Sequence, residues 1–130
     1  MENEIFQKVQ QILSEALGIE KEEIRQESSL VRDLGAESID FIDIIFRLEK
    51  AFDIKIPSGE LFPGNLFNDE RFVKEGRVTS AGLAELKIRA PYLDFQAFAV
   101  DPQISQLANF FTVNMVVNYL QDKVAKSAQA

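Results

Sequence analysis

Between residues 33 and 40 the chain reads Asp33-Leu34-Gly35-Ala36-Glu37-Ser38-Ile39-Asp40, and the side chain there that suits covalent chemistry is Ser38. A serine placed after a loop and at the start of an amphipathic helix is open to a modifying enzyme. The first N–H groups of a helix lack partners within it and carry partial positive charge, so they suit an anion such as a phosphodiester on the serine oxygen. Asp40 and Asp43 follow on the same helix, as a docking surface would need. The plainer alternative is that Ser38 only caps the helix, the commonest role of serine at a helix start.

The rest of the inventory narrows the field by what it lacks. Cysteine, histidine and tryptophan are absent. That excludes disulfides, thiol nucleophiles, Cys/His zinc sites and every triad with His as base. No pair of acids stands out from the solvated faces, so neither a catalytic residue nor a metal site is expected. The net charge of −7 argues against nucleic acid and anionic membranes as partners. The acidic excess sits in residues 1–57, which points to partners with basic docking patches. The acidic start at Met1-Glu2-Asn3-Glu4 and the lack of a spanning apolar run imply no leader and no membrane span, hence a cytoplasmic protein.

The elements that must position Ser38 follow from periodicity. Ile5, Val9, Ile12, Leu13 and Ala16 recur at helical spacing, with Asn3 as a cap and Gly18 just beyond the end. Residues 18–36 read as a long loop anchored by Ile24, Leu30, Val31 and Leu34. Phe41, Ile44, Ile45, Leu48 and Phe52 predict a second helix over 38–52, closed by Pro57. Ile39, Ile42 and Phe46 widen its apolar face, as in a central helix packed by several neighbours. Thr112 caps a last helix carrying Val113, Val116, Val117, Leu120 and Val124, with a frayed tail after Lys126.

The stretch between is unusual. Seven of the eleven Phe residues fall in residues 58–111, too many for a solvated linker. Three short helices are expected there. Asn68 would cap one over 69–75 ending at Gly76. Thr79 or Ser80 would cap a second with Leu83, Leu86 and Ile88, stopped before Pro91. Asp101-Pro102 would start a third with Ile104, Leu107, Ala108 and Phe111 on one face.

The segment 33–40 resembles the attachment motif of acyl carrier proteins, Asp-Leu-Gly-Ala-Asp-Ser-Leu-Asp, with Glu37 and Ile39 as the departures. The likeness runs from Ile5 through Pro57, including Leu48-Glu49-Lys50-Ala51-Phe52-Asp53-Ile54-Lys55-Ile56-Pro57, and resumes at Thr112-Val113 and Tyr119-Leu120. The resemblance implies an all-α, acyl-carrier-like four-helix bundle. It would form one domain, with a core of 1–57 and 112–126 and a helical insert at 58–111 in place of the third helix.

It further implies that Ser38 receives 4'-phosphopantetheine from coenzyme A through a phosphopantetheinyl transferase. The carrier, a monomer, would then serve acyl-loading and acyl-using enzymes of fatty-acid, lipid or polyketide synthesis without being an enzyme itself. Glu37, Ile39, Asp40, Asp43, Phe46 and Glu49 are the expected docking residues, facing a basic patch in a salt-sensitive contact. Phe41, Ile45, Leu48, Ile56 and Phe62 are the acyl-pocket candidates. Arg32, Arg47, Lys50 and Ala51 sit where relatives often have acids or small residues, which suggests dedicated partners. Two alternatives remain: a carrier fold that never receives the arm and acts as an interaction or regulatory protein, or an aminoacyl or peptidyl carrier. Gly35-Ala36-Glu37 suits an acyl carrier better than the latter.

Overall fold

A computed structural model describes residues 2–57, 61–62 and 69–129, and at residues 2, 3, 38 and 127–129 it describes the backbone alone. Three long helices frame it: α1 (Glu2–Leu17), α2 (Ser38–Phe52) and α6 (Val113–Gln129). Helix α1 packs against both α2 and α6. Val9 and Leu13 of α1, Ile44 and Leu48 of α2, and Val113, Val116 and Leu120 of α6 are wholly buried between them. Burial of each such side chain contributes about 1.5–3 kcal/mol before the entropy of ordering is counted.

The ends of these helices differ in places from the sequence reading. Helix α1 begins at Glu2, so Asn3 lies inside the helix and does not cap it. Helix α6 continues through Gln129, past the expected fraying point at Lys126. Its start is as expected, because the Thr112 hydroxyl accepts from the Met115 N–H at 3.2 Å. Of the loop anchors, Ile24, Leu30 and Leu34 are buried while Val31 keeps partial exposure.

The larger correction concerns α2. Ile39, Ile42 and Phe46 are 72%, 72% and 57% exposed, so the helix is not packed around its circumference. Its buried stripe is the narrower one of Ile44 and Leu48, flanked by the half-buried Phe41, Ile45 and Phe52. Among the described residues, the neighbours that a central helix would require are not on that side.

Residues 69–111 are not all helical either. The helix expected over 69–75 is instead an antiparallel hairpin of β1 (Val73–Lys74) and β2 (Arg77–Val78); the cap assigned to Asn68 and the ring of Phe67 lie outside the described residues. Glu75 and Gly76 both take positive φ, 53° and 77°, which is what a two-residue hairpin turn demands. The glycine read as a helix stop is a turn residue. Before it, Asp69 accepts the Arg71 N–H and both guanidinium arms, and this pairing lowers its pKa to about 2.

Helix α3 (Ser80–Arg89) is capped by Thr79, whose hydroxyl oxygen accepts from the Gly82 N–H at 3.1 Å. Leu86 is buried and Leu83 half-buried, whereas Ile88 is 74% exposed and does not share their face. A short helix not anticipated, α4 (Phe95–Ala99), is capped by Asp94. Next come α5 (Ile104–Leu107) and a 3₁₀ turn over Ala108–Phe110. Asp101 does not cap α5; it accepts from Arg77 at 2.9 Å, and Gln103 holds the cap position. The hairpin draws this strip to itself, through Val78 N–H to Pro102 and Ile104 N–H to Gly76.

Val78, Leu86, Ala90, Leu93, Phe98, Leu107 and Phe111 join the helical core in one continuous apolar cluster. A close approach at Gly82 holds the hairpin on α3: a Cβ there would fall against the Phe72 carbonyl and 2.7 Å from Val78 Cγ1. Gly82→Ala should therefore destabilise the protein by about 1–3 kcal/mol despite its better helix propensity. Urea unfolding measures this, and an unchanged midpoint would refute the packing argument.

Candidate functional site

Position 38 is set by the loop before it. The Leu30 N–H donates to the Phe111 carbonyl at 2.9 Å, and the Val113 and Asn114 N–H groups donate to the carbonyls of Ser28 and Gln26 at 3.0 and 2.8 Å. The loop thus caps the first turn of α6 with its own carbonyls, and α6 holds the loop in place. Within the loop, the Asp33 carboxylate accepts from the Ser29 N–H at 2.7 Å and the Ser29 hydroxyl accepts from the Arg32 N–H at 3.1 Å. Leu34 and Ala36 point inward and are buried. Between them Gly35 takes φ of +74°, a region costing L-residues about 1–2 kcal/mol.

The chain then enters α2. Glu37 occupies the cap position with extended backbone, and its N–H donates to the Asp40 carboxylate at 2.8 Å. Ser38 is the first helical residue, one place beyond the cap, so the capping role considered for it belongs to Glu37. Glu37 and Ile39 on either side are both exposed. Ser28 and Ser29, by contrast, are 7% and 2% exposed, and both hydroxyls accept loop N–H groups. A phosphodiester on position 38 would lie at the N-terminus of a fifteen-residue helix, where partial positive charge favours it. With no cysteine in the chain, any thiol must come from an attached group.

The remaining residues expected to dock partners are all on α2, and their side chains are differently engaged. Asp43 accepts from Arg47 Nε at 2.9 Å, and Arg47 reaches toward Glu15 at 3.7 Å. Glu49 accepts the Ile56 N–H at 2.8 Å, folding residues 53–56 back under the helix. Phe46 is exposed and lies 5.2 Å from the Lys50 ammonium.

Among the pocket candidates, Leu48 and Ile56 are buried in the core while Phe41, Ile45 and Phe62 are partly buried. The structure brings Phe41 and Phe62 together edge-to-face, with ring centroids 4.8 Å apart. Phe111 completes the group, 6.0 Å from Phe41 and 5.2 Å from Phe62. Sequence reasoning places Phe111 only on the face of a helix begun at Asp101-Pro102 and misses it as a partner of α2.

Comparison with known proteins agrees with this geometry. The family model described as the phosphopantetheine attachment site matches residues 7–65, which contain the whole loop, α2 and the turn after it. An acyl carrier protein of Guillardia theta is 45% identical over 56 residues, covering 43% of this chain and 69% of the relative. One from Clostridium acetobutylicum is 46% identical over 56 residues, covering 43% and 73%. One from Thermotoga maritima is 40% identical over 58 residues, covering 45% and 72%. This chain belongs to the acyl carrier protein family. Its role is that of an acyl carrier, with 4'-phosphopantetheine as the covalent prosthetic group. Among the described residues of this carrier, no helix is long and apolar enough to cross a membrane.

The edge-to-face contact of Phe41 with Phe62 links α2 to the segment that follows it. A double-mutant cycle with Phe41→Leu and Phe62→Leu should give a coupling of about 0.5–1.5 kcal/mol. Additive effects in chemical unfolding would show that the rings act independently.

Proposed function

We propose that Ser38 is the attachment residue and that the carrier presents its arm from the N-terminus of α2. The observation that carries this reading is the placement of position 38: first in the helix, behind the Gly35 turn and between exposed neighbours. Once attached, the group supplies a terminal thiol on which acyl chains are held as thioesters. The chain's own part is to fix the origin of the arm and to offer a face to partners. Those partners are a phosphopantetheinyl transferase and the acyl-loading and acyl-using enzymes of fatty-acid, lipid or polyketide synthesis. The carrier works as a cytoplasmic monomer, is not itself a catalyst, and forms one domain with residues 58–111 as its insert. Glu37, Ile39, Asp40, Asp43, Phe46 and Glu49 mark the face that partners approach.

We further read the seam between α2 and Phe62 as the shelter for the acyl chain, with Phe41, Ile45, Leu48 and Ile56 as its other candidate lining residues. Half-buried rings can rotate aside at less cost than wholly buried ones. Arms loaded with progressively longer chains should shift the amide signals of Phe41, Phe62 and Phe111 progressively. Signals that stay fixed at every chain length would remove the seam from consideration.

The attachment itself is tested by mass. Wild-type protein incubated with coenzyme A and a transferase should gain one phosphopantetheine, and Ser38→Ala should gain none. Because Glu37 holds the cap position, the variant should keep its stability to within about 0.5 kcal/mol. A gain of mass in Ser38→Ala would place the arm elsewhere. No gain in the wild type would make this an unmodified protein on a carrier fold.

A further inference from the structure

The strip of chain from α4 to the start of α6 does more than close the core. Beside the loop that sets position 38 it forms an open groove of about 330 Å³, and Arg32 of that loop lines it. The volume is at the small end of the range for small-ligand sites, about 300–1,000 Å³. Gln103, Gln106 and Asn109 line the groove at three-residue spacing, which α5 and the 3₁₀ turn bring onto one face. Val100 and Phe110 add apolar surface. Asp101, the acid of the groove, is taken up by Arg77 and by the Gln103 side-chain NH2. The Asn109 NH2 donates to Gln106 Oε1 at 2.9 Å. Among the described residues, this leaves the Gln106 NH2, the carboxamide oxygens of Gln103 and Asn109, and the Arg32 guanidinium without a hydrogen-bond partner. The groove therefore offers donors and acceptors in turn, with one cation and one acid.

From this we infer that the groove holds the pantetheine arm of the unloaded carrier, with the three carboxamides and Arg32 hydrogen-bonded to the two amides of the arm. The inference rests on Ser38 as the attachment residue. Reach permits it. The Ala36 N–H donates to the Leu30 carbonyl at 2.8 Å and closes the loop on itself. Arg32 and Ser38 each lie two residues from that bond, so their Cα atoms are within about 20 Å of each other, a span that an extended arm covers. The arm carries two amides, a hydroxyl and a dimethyl carbon, so it calls for alternating polar partners and some apolar surface. A tethered ligand meets a nearby site at an effective concentration of the order of millimolar, so weak contacts in an open groove suffice. Phe110 borders the groove, and the next residue, Phe111, belongs to the aromatic group with Phe41 and Phe62. The unloaded arm and an acyl chain thus have separate resting places that meet at adjacent residues.

The test compares the full chain before and after arm transfer from coenzyme A, by NMR and by the reactivity of the new thiol. Attachment should shift the side-chain NH2 signals of Gln106 and Asn109 and leave the Phe62 amide in place. The thiol should react with an uncharged disulfide reagent at least about twofold more slowly than free pantetheine does. Gln106 is exposed and Asn109 half-buried, so Gln106→Ala/Asn109→Ala should keep the helical circular dichroism of the wild type. On that variant the thiol should react as fast as free pantetheine. The inference is overturned if the Gln106 and Asn109 signals stay fixed on attachment, or if the thiol reacts alike on the wild type and the double variant. Shifts at Phe62 and Phe111 in their place would put the unloaded arm in the seam and overturn it too. In each of these cases the gain in mass stands and so does attachment at Ser38, whereas a wild type that gains no mass overturns both readings.

Discussion

The placement of every functional group depends on one short set of backbone bonds, those between residues 26–30 and the start of α6. The first turn of a helix has N–H groups with nothing in the helix to accept them. In α6 the first two, Val113 and Asn114, are taken by Ser28 and Gln26, and Thr112 serves the next two through its side chain and carbonyl. The exchange works in both directions, because Leu30 donates back to Phe111. A loop that would otherwise be free to wander is thereby fixed to the core. Leu30, Leu34 and Ala36 can then be buried, and α2 can begin only at residue 38.

That dependence explains what the sequence made legible. Helix α2 is bounded by signals that act locally: a loop ending in glycine before it, a polar cap, and an amphipathic run broken by Asp53 and Pro57. Its predicted limits and the observed ones coincide at Ser38 and Phe52. The same holds for Thr79 and Thr112, whose hydroxyls cap as hydroxyls at helix starts do. The pairing of the loop with α6 was not legible, since it joins residues more than eighty positions apart and uses backbone groups that every sequence possesses. The hairpin failed for a different reason. Asp69 and Glu70 followed by Gly76 punctuate a helix as well as a turn, and the signal that decides between them is the β-branched pair Val73 and Val78 flanking Glu75-Gly76. Those valines face each other across the ladder.

Exposure was the other quantity that periodicity could not supply. Ile39, Ile42 and Phe46 extend the apolar arc of α2, and an apolar arc reads as burial. Whether it is buried depends on the position of the neighbours, and α1 covers only one side of α2. The site residues divide along this line. The carboxylates at Asp40, Asp43 and Glu49, expected on a docking face, also accept hydrogen bonds within the fold. Ile39 and Phe46, expected both as docking residues and as part of a packed arc, are exposed, and so is Ile42.

A carrier must hold the origin of its arm still while remaining easy to approach. Short-range polar contacts meet the first requirement: Asp40 and Glu49 tie down the two ends of α2, and the Asp43–Arg47 pair braces its flank against Glu15 of α1. Each such contact is individually weak at a partly exposed site, about 0–1 kcal/mol for an ion pair. Their value lies in fixing geometry at the helix termini, where fraying would otherwise move position 38. The aromatic contact among Phe41, Phe62 and Phe111 then secures the inner side of the same helix turn. Helix α2 is consequently held by polar groups at its ends and by rings on its inner face.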